Sequence, residues 1–159
     1  MKNTFTIVSL LFLLNSFGQN LNFEILFGNY ANDHFEKKFH VQERKWVLDN
    51  DQLSYSIDEH DTRYADTLTL TKEEQKRISD YVLKEGLNQN IEEEIEKDYL
   101  KGEGTKGVIK GFIQINSTKN TISLIGEALF LVVDTPNGKK LKELENILHN
   151  IVDNYGIKE

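Results

Sequence analysis

Much of the chain alternates apolar and polar residues with a period of two, which is the pattern of β-strands that bury one face. Leu53, Tyr55 and Ile57 alternate with serines and an aspartate, and residues 49–51, Asp-Asn-Asp, have the composition of a turn. Because an apolar segment precedes that turn, residues 39–58 predict a β-hairpin.

The apolar phase shifts partway along the first strand of this hairpin. Val41 and Val47 occupy odd positions, whereas Trp46 and Leu48 occupy even ones. Such a shift is typical of a β-bulge, here near residues 43–45, or of burial on both faces at one end of the strand.

Four further segments have strand character. Residues 21–31 predict either a first strand or a connector from the N-terminal segment. Residues 128–133 are almost continuously apolar, which favours the end of a central strand buried on both faces. The other predicted strands are 64–70, 107–116 and 121–133.

Three segments have helical spacing. The segment Thr71–Glu74 matches a capping box and predicts a helix over residues 72–85. Pro136 opens the clearest helix, in which apolar residues recur at spacings of three and four up to Tyr155. Residues 91–99 carry apolar residues four apart among acidic ones, which predicts a short surface helix.

The order of these elements indicates the fold class. Strands come first, then helices, then a strand pair and a last helix, with no strand-helix-strand alternation. We therefore expect a single small α+β domain with an antiparallel sheet of about five strands and two main helices packed on one face.

The N-terminus resembles an export signal. A lysine precedes the apolar run Phe5–Leu14, and the small-x-small pattern Ser16–Gly18 places a cleavage near residues 18–20. Its ending, Ser-Phe-Gly-Gln, resembles the leaders of Bacteroidota. An uncleaved anchor or a core helix are the alternatives, but a membrane span needs roughly 20 apolar residues and this run has about half. We expect residues 1–19 to be a signal peptide.

That expectation makes residues 20–159 the working domain, exported to the periplasm or outside the cell, with no membrane insertion after cleavage. The chain has no cysteine, which excludes disulfides and a lipid carried on cysteine. Removal of residues 1–19 takes one lysine and no acid, and leaves 18 basic against 26 acidic residues. This balance argues against nucleic acid and anionic lipid as partners.

The glycine pattern over residues 102–107 matches the short dinucleotide-binding motif GxGxxG. That motif works where a strand turns into a helix, because the helix N-terminus faces the pyrophosphate. Here a helix is predicted before the motif and a strand after it, so the order is inverted and the sequence predicts no cofactor.

The densest polar constellation spans residues 58–66. Asp58, His60 and Asp61 combine carboxylates, which suit hard cations, with an imidazole, which suits zinc. No established ligand spacing is met, so these three residues are candidate metal ligands set against a solvated turn. Residues 49–51 also resemble the start of a calcium loop, but the sixth and twelfth positions do not match.

The remaining polar and aromatic residues favour structural roles. The acids of residues 92–98 indicate a solvated face, and the histidines indicate structural or surface positions. No complete set of catalytic residues is recognisable. Aromatic residues at strand spacing indicate either a core or a concave face that holds a ligand. These residues are Trp46, Tyr55, Tyr64 and Phe112.

These patterns predict an exported soluble binding or interaction domain whose partner is an envelope protein or a small ligand. The alternative is a carboxylate- or metal-dependent hydrolase with its site near residues 58–66. A third possibility is a structural role in an envelope assembly, in which residues 21–31 serve as an exposed edge strand that adds to a partner sheet.

Overall fold

A computed structural model describes residues 20–32, 39–59, 62–95 and 105–156. Within these residues it contains seven strands and three helices. The strands are β1 (Leu21–Asn32), β2 (Phe39–Asp49), β3 (Gln52–Glu59), β4 (Thr62–Thr69), β5 (Ile91–Ile95), β6 (Thr105–Ile115) and β7 (Thr118–Gly126). The helices are α1 (Lys72–Lys84), α2 (Leu129–Asp134) and α3 (Pro136–Asn154).

The strands form one sheet in the order β4-β3-β2-β1-β6-β7-β5. All neighbours are antiparallel except β5 and β7, which are parallel. The α+β class and the single small domain are confirmed. The expected sheet of five antiparallel strands with two helices is wrong, because the described part of the chain forms a mixed sheet of seven strands together with three helices.

Strand β5 accounts for part of that difference. Residues 91–95 form a strand where a surface helix was expected, and residues 96–99 of that prediction lie outside the described residues. Ile91 and Ile95 are four apart, and a spacing of four places two residues on one face of a strand as well as of a helix. The apolar spacing therefore did not distinguish the two structures.

Strand β1 lies in the middle of the sheet, between β2 and β6. The prediction of a first strand over residues 21–31 is confirmed, and the connector alternative is wrong. The hypothesis that this segment is an exposed edge strand is also wrong, because both of its edges are paired along the strand. The edge strands of the sheet are β4 and β5.

Residues 128–133 do not continue the last strand. Strand β7 ends at Gly126, and the apolar run forms the short helix α2 instead. Gly107 on β6 allows this turn away from the sheet, because a Cβ there would lie 2.0 Å from the backbone nitrogen of Leu129. Leu131 and Val132 are buried, so the apolar run supplies one buried side of a helix and no central strand.

No bulge interrupts β2. The strand pairs in continuous register with β1 and with β3. Trp46 and Leu48 are buried beneath the helices, and Arg44 points to the same side, while Val47 points to the opposite side. The apparent phase shift therefore arises because a charged residue occupies a position on the buried side.

The core lies between one face of the sheet and the helices. Alternate residues of the central strands, such as Phe23, Ile25 and Ile113, are almost fully buried. They pack against apolar residues of α1 and α3. The buried helix residues include Ile78, Val82, Leu141, Leu144, Leu148 and Ile151.

The predicted starts of helices α1 and α3 are confirmed. The Thr71 hydroxyl accepts a hydrogen bond from the Glu74 backbone, and the Glu74 carboxylate accepts one from the Thr71 backbone at 2.8 Å. Pro136 lies in the first turn of α3, where its missing N–H costs nothing. In the described part of the chain, none of the helices has both the length and the apolar character to cross a membrane.

Side chains form hydrogen bonds with backbone groups of the edge strand β4. The Asp66 carboxylate accepts a hydrogen bond from the Thr67 backbone at 2.6 Å. The Tyr155 hydroxyl donates to the Thr69 carbonyl at 3.2 Å. Because strand addition needs free backbone groups, these contacts disfavour pairing of another chain at this edge.

Candidate functional site

The sheet has two different faces. The helix-covered face holds the core, and the opposite face, here called the open face, carries the alternate residues of every strand. Register places on the open face, among others, Leu26 and Lys45, Ser56 and Ala65, and Lys110 and Ser123. The three described helices all pack on the other side of the sheet.

A buried ion cluster lies on the helix-covered face. The Glu145 side chain is fully buried. Its carboxylate accepts hydrogen bonds from Arg44 Nε at 2.8 Å, Lys142 Nζ at 2.7 Å and Trp46 Nε1 at 3.4 Å. His149 Nε2 lies 4.0 Å from the same carboxylate. One buried carboxylate therefore joins helix α3 to strand β2.

Local structure brings these side chains together. Lys142 and His149 lie three residues before and four after Glu145 on α3, and such spacings share one helix face. Arg44 and Trp46 are two apart on β2, so they point to the same side of the sheet. Glu145 lies three residues before Leu148 in the apolar stripe of α3, and this position is the sequence signal that could have indicated its burial.

Aromatic rings surround the cluster. Trp46 stacks on Tyr55 with 5.3 Å between ring centroids, and Tyr55 packs on Tyr64 at 5.4 Å. His149 meets the Trp46 ring edge-on at 4.8 Å. Three of the four aromatic residues considered for a binding face thus pack beneath the helices, whereas Phe112 lies on the open face.

The cluster stabilises the ionised form of the Glu145 carboxylate. Burial alone would raise the pKa of Glu145, but the hydrogen bonds and charges of Arg44 and Lys142 outweigh it and lower that pKa below its ordinary value of 4.5. An ionised carboxylate with bound donors is a poor proton donor. We therefore assign Glu145 to stability rather than to acid–base chemistry.

Acid should unfold the protein partly through Glu145. A carboxyl with a lowered folded-state pKa contributes stability that is complete above its unfolded pKa and lost as pH falls through the folded value. We expect the free energy of unfolding, measured by urea titration from pH 7 to pH 3, to drop below about pH 4.5.

The variant Glu145→Gln should show a weaker dependence on pH in the same range. Some dependence should remain, because hydrogen bonds from Thr71 and Tyr155 outweigh partial burial and lower the pKa of Glu74 too. Equal pH dependence in the variant and the parent would contradict the assignment of Glu145.

The open face mixes apolar and basic side chains. Leu26, Phe112 and Ile125 are half-buried on neighbouring strands of this side. Val108 lies among them but is only 6% exposed and adds little surface. Lys119 Nζ lies 3.6 Å from the centroid of the Phe112 ring, a cation–π contact. This face therefore offers apolar surface next to positive charge.

Two contacts fix the open face beside β1. The Tyr30 ring lies over Gly28, and its hydroxyl donates to the Glu43 carboxylate at 2.6 Å. Burial and that carboxylate raise the pKa of Tyr30 to about 12, so the hydroxyl stays protonated. Lys45 pairs with Glu24 at 2.7 Å, which neutralises both charges.

A shallow depression of about 420 Å³ lies over β2, β3 and β4 on the open face. It forms because the side chains of β3 and β4 are small there, while Lys45 stands beside them. The Ser54 and Thr67 hydroxyls are hydrogen-bonded to each other at 2.9 Å. The lining residues are Lys45, Val47, Ser54, Tyr55, Ser56, Ala65, Asp66 and Thr67.

The candidate metal ligands are only partly described. Asp58 lies on β3, and its carboxylate pairs with Arg63 Nε at 3.1 Å across the strand pair. His60 and Asp61 lie outside the described residues. Within the described ranges, no group of three His, Asp or Glu side chains is arranged to hold a metal ion.

The metal site near residues 58–66 therefore stays a prediction. Metal analysis of the purified protein tests it: a stoichiometric ion that disappears in His60→Ala would support the site. The glycine motif is also incompletely described, since residues 102–104 lie outside the described ranges and residues 105–107 begin β6.

The acids of residues 92–94 lie on the edge strand β5. Glu93 accepts a hydrogen bond from Asn137 Nδ2 at 2.5 Å, while Glu92 and Glu94 are exposed on the open face. The expected solvated character holds for those two residues. Their position places negative charge at the β5 border of the open face.

No protein-family model matches the chain, and the search of curated proteins finds no match.

Proposed function

We propose that this protein is an exported binding domain whose contact surface is the open face of the sheet. The observation that carries the proposal is the composition of that face. Apolar side chains of β1, β6 and β7 lie next to lysines on the side of the sheet opposite the helices. A mixture of apolar centre and charged surroundings is typical of protein contact surfaces.

The size of the face fits this role. Seven strands about 4.8 Å apart, each exposing a length of several residues at about 3.3 Å per residue, give a surface on the order of 800 Å². A stable protein interface buries roughly that area on each partner. A protein is therefore the preferred partner class, and the predicted export makes it an envelope protein. A small ligand would bind in the shallow depression over β2–β4.

The distribution of polar groups also supports binding over catalysis. The Glu145 carboxylate is buried under α3 and accepts hydrogen bonds from three donors. Asp66, which lines the depression, accepts a hydrogen bond from the Thr67 backbone, and Asp58 on β3 pairs with Arg63. A catalytic acid–base pair needs groups that reach a substrate.

Export is part of the proposal. Asn20 makes the first described contacts of the chain, since its backbone N–H donates to Asn116 Oδ1 at 3.1 Å and its carbonyl accepts from Asn116 N at 2.8 Å. Cleavage after Gly18 or Gln19 keeps this residue in the fold. We expect the intact mass of the protein recovered outside the cytoplasm to correspond to a mature N-terminus at residue 19 or 20. A mass that includes residue 1 would contradict export with cleavage.

Site-specific crosslinking tests the contact surface. A photoreactive amino acid is placed at Ser123 or Gln114 on the open face, and at the exposed α3 residues Glu143 or Asp153 as matched controls. In the native cells, we expect one discrete crosslinked partner from the open-face positions and none from α3. The purified partner should then bind the purified protein and protect the open face from crosslinking. Equal crosslinking from both surfaces, or none from the open face, would contradict the proposal.

A further inference from the structure

Charge is segregated along the chain. The chain contains 26 acidic residues, yet residues 104–126 contain none and carry three lysines. This segment folds as the β6–β7 hairpin, Thr105–Gly126, here called the basic hairpin. A positive element in a chain of net charge −7 is a local reversal of the overall charge.

The fold places all three lysines on the open face. Lys106 and Lys110 are four apart on β6, so both point to the same side and lie about 13 Å apart. Lys119 on β7 pairs with Gln114, which lies four residues after Lys110 on β6 and on the same side of the sheet. The positive charges therefore follow one line along the hairpin.

These lysines are available to a partner. All three are exposed, and in the described part of the chain none of them forms an ion pair. The nearest acid on β1, Glu24, is already paired with Lys45 at 2.7 Å. Val108 separates Lys106 from Lys110 but is only 6% exposed, so the accessible apolar surface beside the lysines comes from the half-buried Leu26 and Ile125 on the neighbouring strands.

We propose that the basic hairpin binds an acidic segment of a partner protein, with the partner's apolar side chains packed on the half-buried Leu26 and Ile125. This inference rests on the proposed function and specifies the partner's chemistry. The partner carboxylates pair with Lys106, Lys110 and Lys119. Glu92 and Glu94 at the β5 border repel acids, so they confine the partner to the hairpin and β1.

The same observations favour a protein over other polyanions. Nucleic acids and sulfated polysaccharides are bound mainly through many cations, and here three lysines stand in an acidic chain. The Phe112 ring is covered by Lys119, so it is not free to stack on a base. The half-buried Leu26 and Ile125 lie beside the lysines, and protein side chains complement such apolar surface best.

Peptide selection tests the proposal without knowledge of the natural partner. Random 12-residue peptides are displayed and selected on the purified protein, and the enriched peptides are synthesised for affinity measurement. We expect enriched sequences that combine Asp or Glu with Leu, Ile or Phe. Their binding should weaken at least about tenfold in Lys106→Glu/Lys110→Glu and in 0.5 M salt.

A matched variant controls for net charge. Lys72→Glu/Arg77→Glu changes two exposed cations on α1 by the same amount and should leave binding unchanged. Circular dichroism and thermal melting show whether each variant is folded, and Lys110→Gln provides a milder change that should weaken binding less than the double reversal. NMR amide shifts should map the bound peptide to β6, β7 and β1.

Each outcome decides between the proposals. Acidic peptides that lose binding only in the hairpin variants support the inference. Enriched peptides that bind the open face but are neutral or basic overturn the inference and leave the proposed function standing. Peptides that bind elsewhere overturn both, as does the absence of any enriched peptide. Tighter binding of anionic vesicles or heparin than of any peptide overturns the assignment of a protein partner.

Discussion

Replacement of Gly111 by alanine is expected to destabilise the protein by about 3 kcal/mol or more, at or beyond the upper end of overpacking costs. Gly111 lies on β6 with a φ of +148°, and a Cβ there would lie 1.8 Å from the Glu24 carbonyl oxygen on β1. The Glu24 carbonyl belongs to the backbone of β1, so it cannot rotate away from the added Cβ as a side chain could. The two central strands would have to separate, and they pair along most of their length.

Gly28→Ala is the matched control on the neighbouring central strand. A Cβ at Gly28 would meet only the far end of the Tyr30 ring, at 2.7 Å. The ring can move, at the cost of its hydrogen bond to Glu43, so a loss of about 1 kcal/mol is expected. Urea unfolding of both variants measures the difference. Equal loss in the two variants would show that the close approach at Gly111 is not what constrains the strand.

Replacement of Glu145 by alanine is expected to cost about 3 kcal/mol, because removal of one partner leaves buried donors and cations without compensation. Arg44 and Trp46 would lose their shared acceptor, and a cavity would remain beneath α3. Both cations keep some exposure, 23% for Arg44 and 37% for Lys142, which holds the loss near the lower end of the usual range.

Glu143→Ala provides the comparison on the same helix. Glu143 is exposed and accepts one hydrogen bond from Asn146 at 3.1 Å, so its loss should change stability by less than about 0.5 kcal/mol. Urea midpoints at pH 7 compare the two variants. The additional variant Arg44→Met with Glu145→Leu should recover stability relative to Glu145→Ala. If the double variant is no more stable than Glu145→Ala, the uncompensated charge of Arg44 is not the cause of the destabilisation.

Several features could be predicted because they depend on neighbours in sequence. The capping box at Thr71 and the proline start of α3 involve contacts within one turn. The β2–β3 hairpin joins strands through a two-residue turn at Asn50 and Asp51. In each case the residues that decide the structure are a few positions apart, so the pattern contains the whole interaction.

The candidate site shows where pattern reasoning failed. The sequence predicts Asp58 as a metal ligand because it lies among polar residues, but in the structure its carboxylate pairs with Arg63. Glu145 is a fully buried charged residue, and its position in the apolar stripe of α3 does not identify its partner, because Arg44 lies 101 residues away. The predicted bulge in β2 is wrong for the same reason. Arg44 occupies a position on the buried side of the strand, where its ion pair with Glu145 stabilises it.

The sequence by itself determined the α+β class, the long C-terminal helix, the first hairpin and the segregation of lysines in residues 104–126. Each of these follows from local periodicity or composition. Only the tertiary structure decided that β1 is central, that residues 91–95 form a strand and that residues 128–133 form a helix. These outcomes depend on which segments become neighbours. A parallel partner in β7 lets residues 91–95 form a strand, and a glycine on β6 lets α2 approach the sheet.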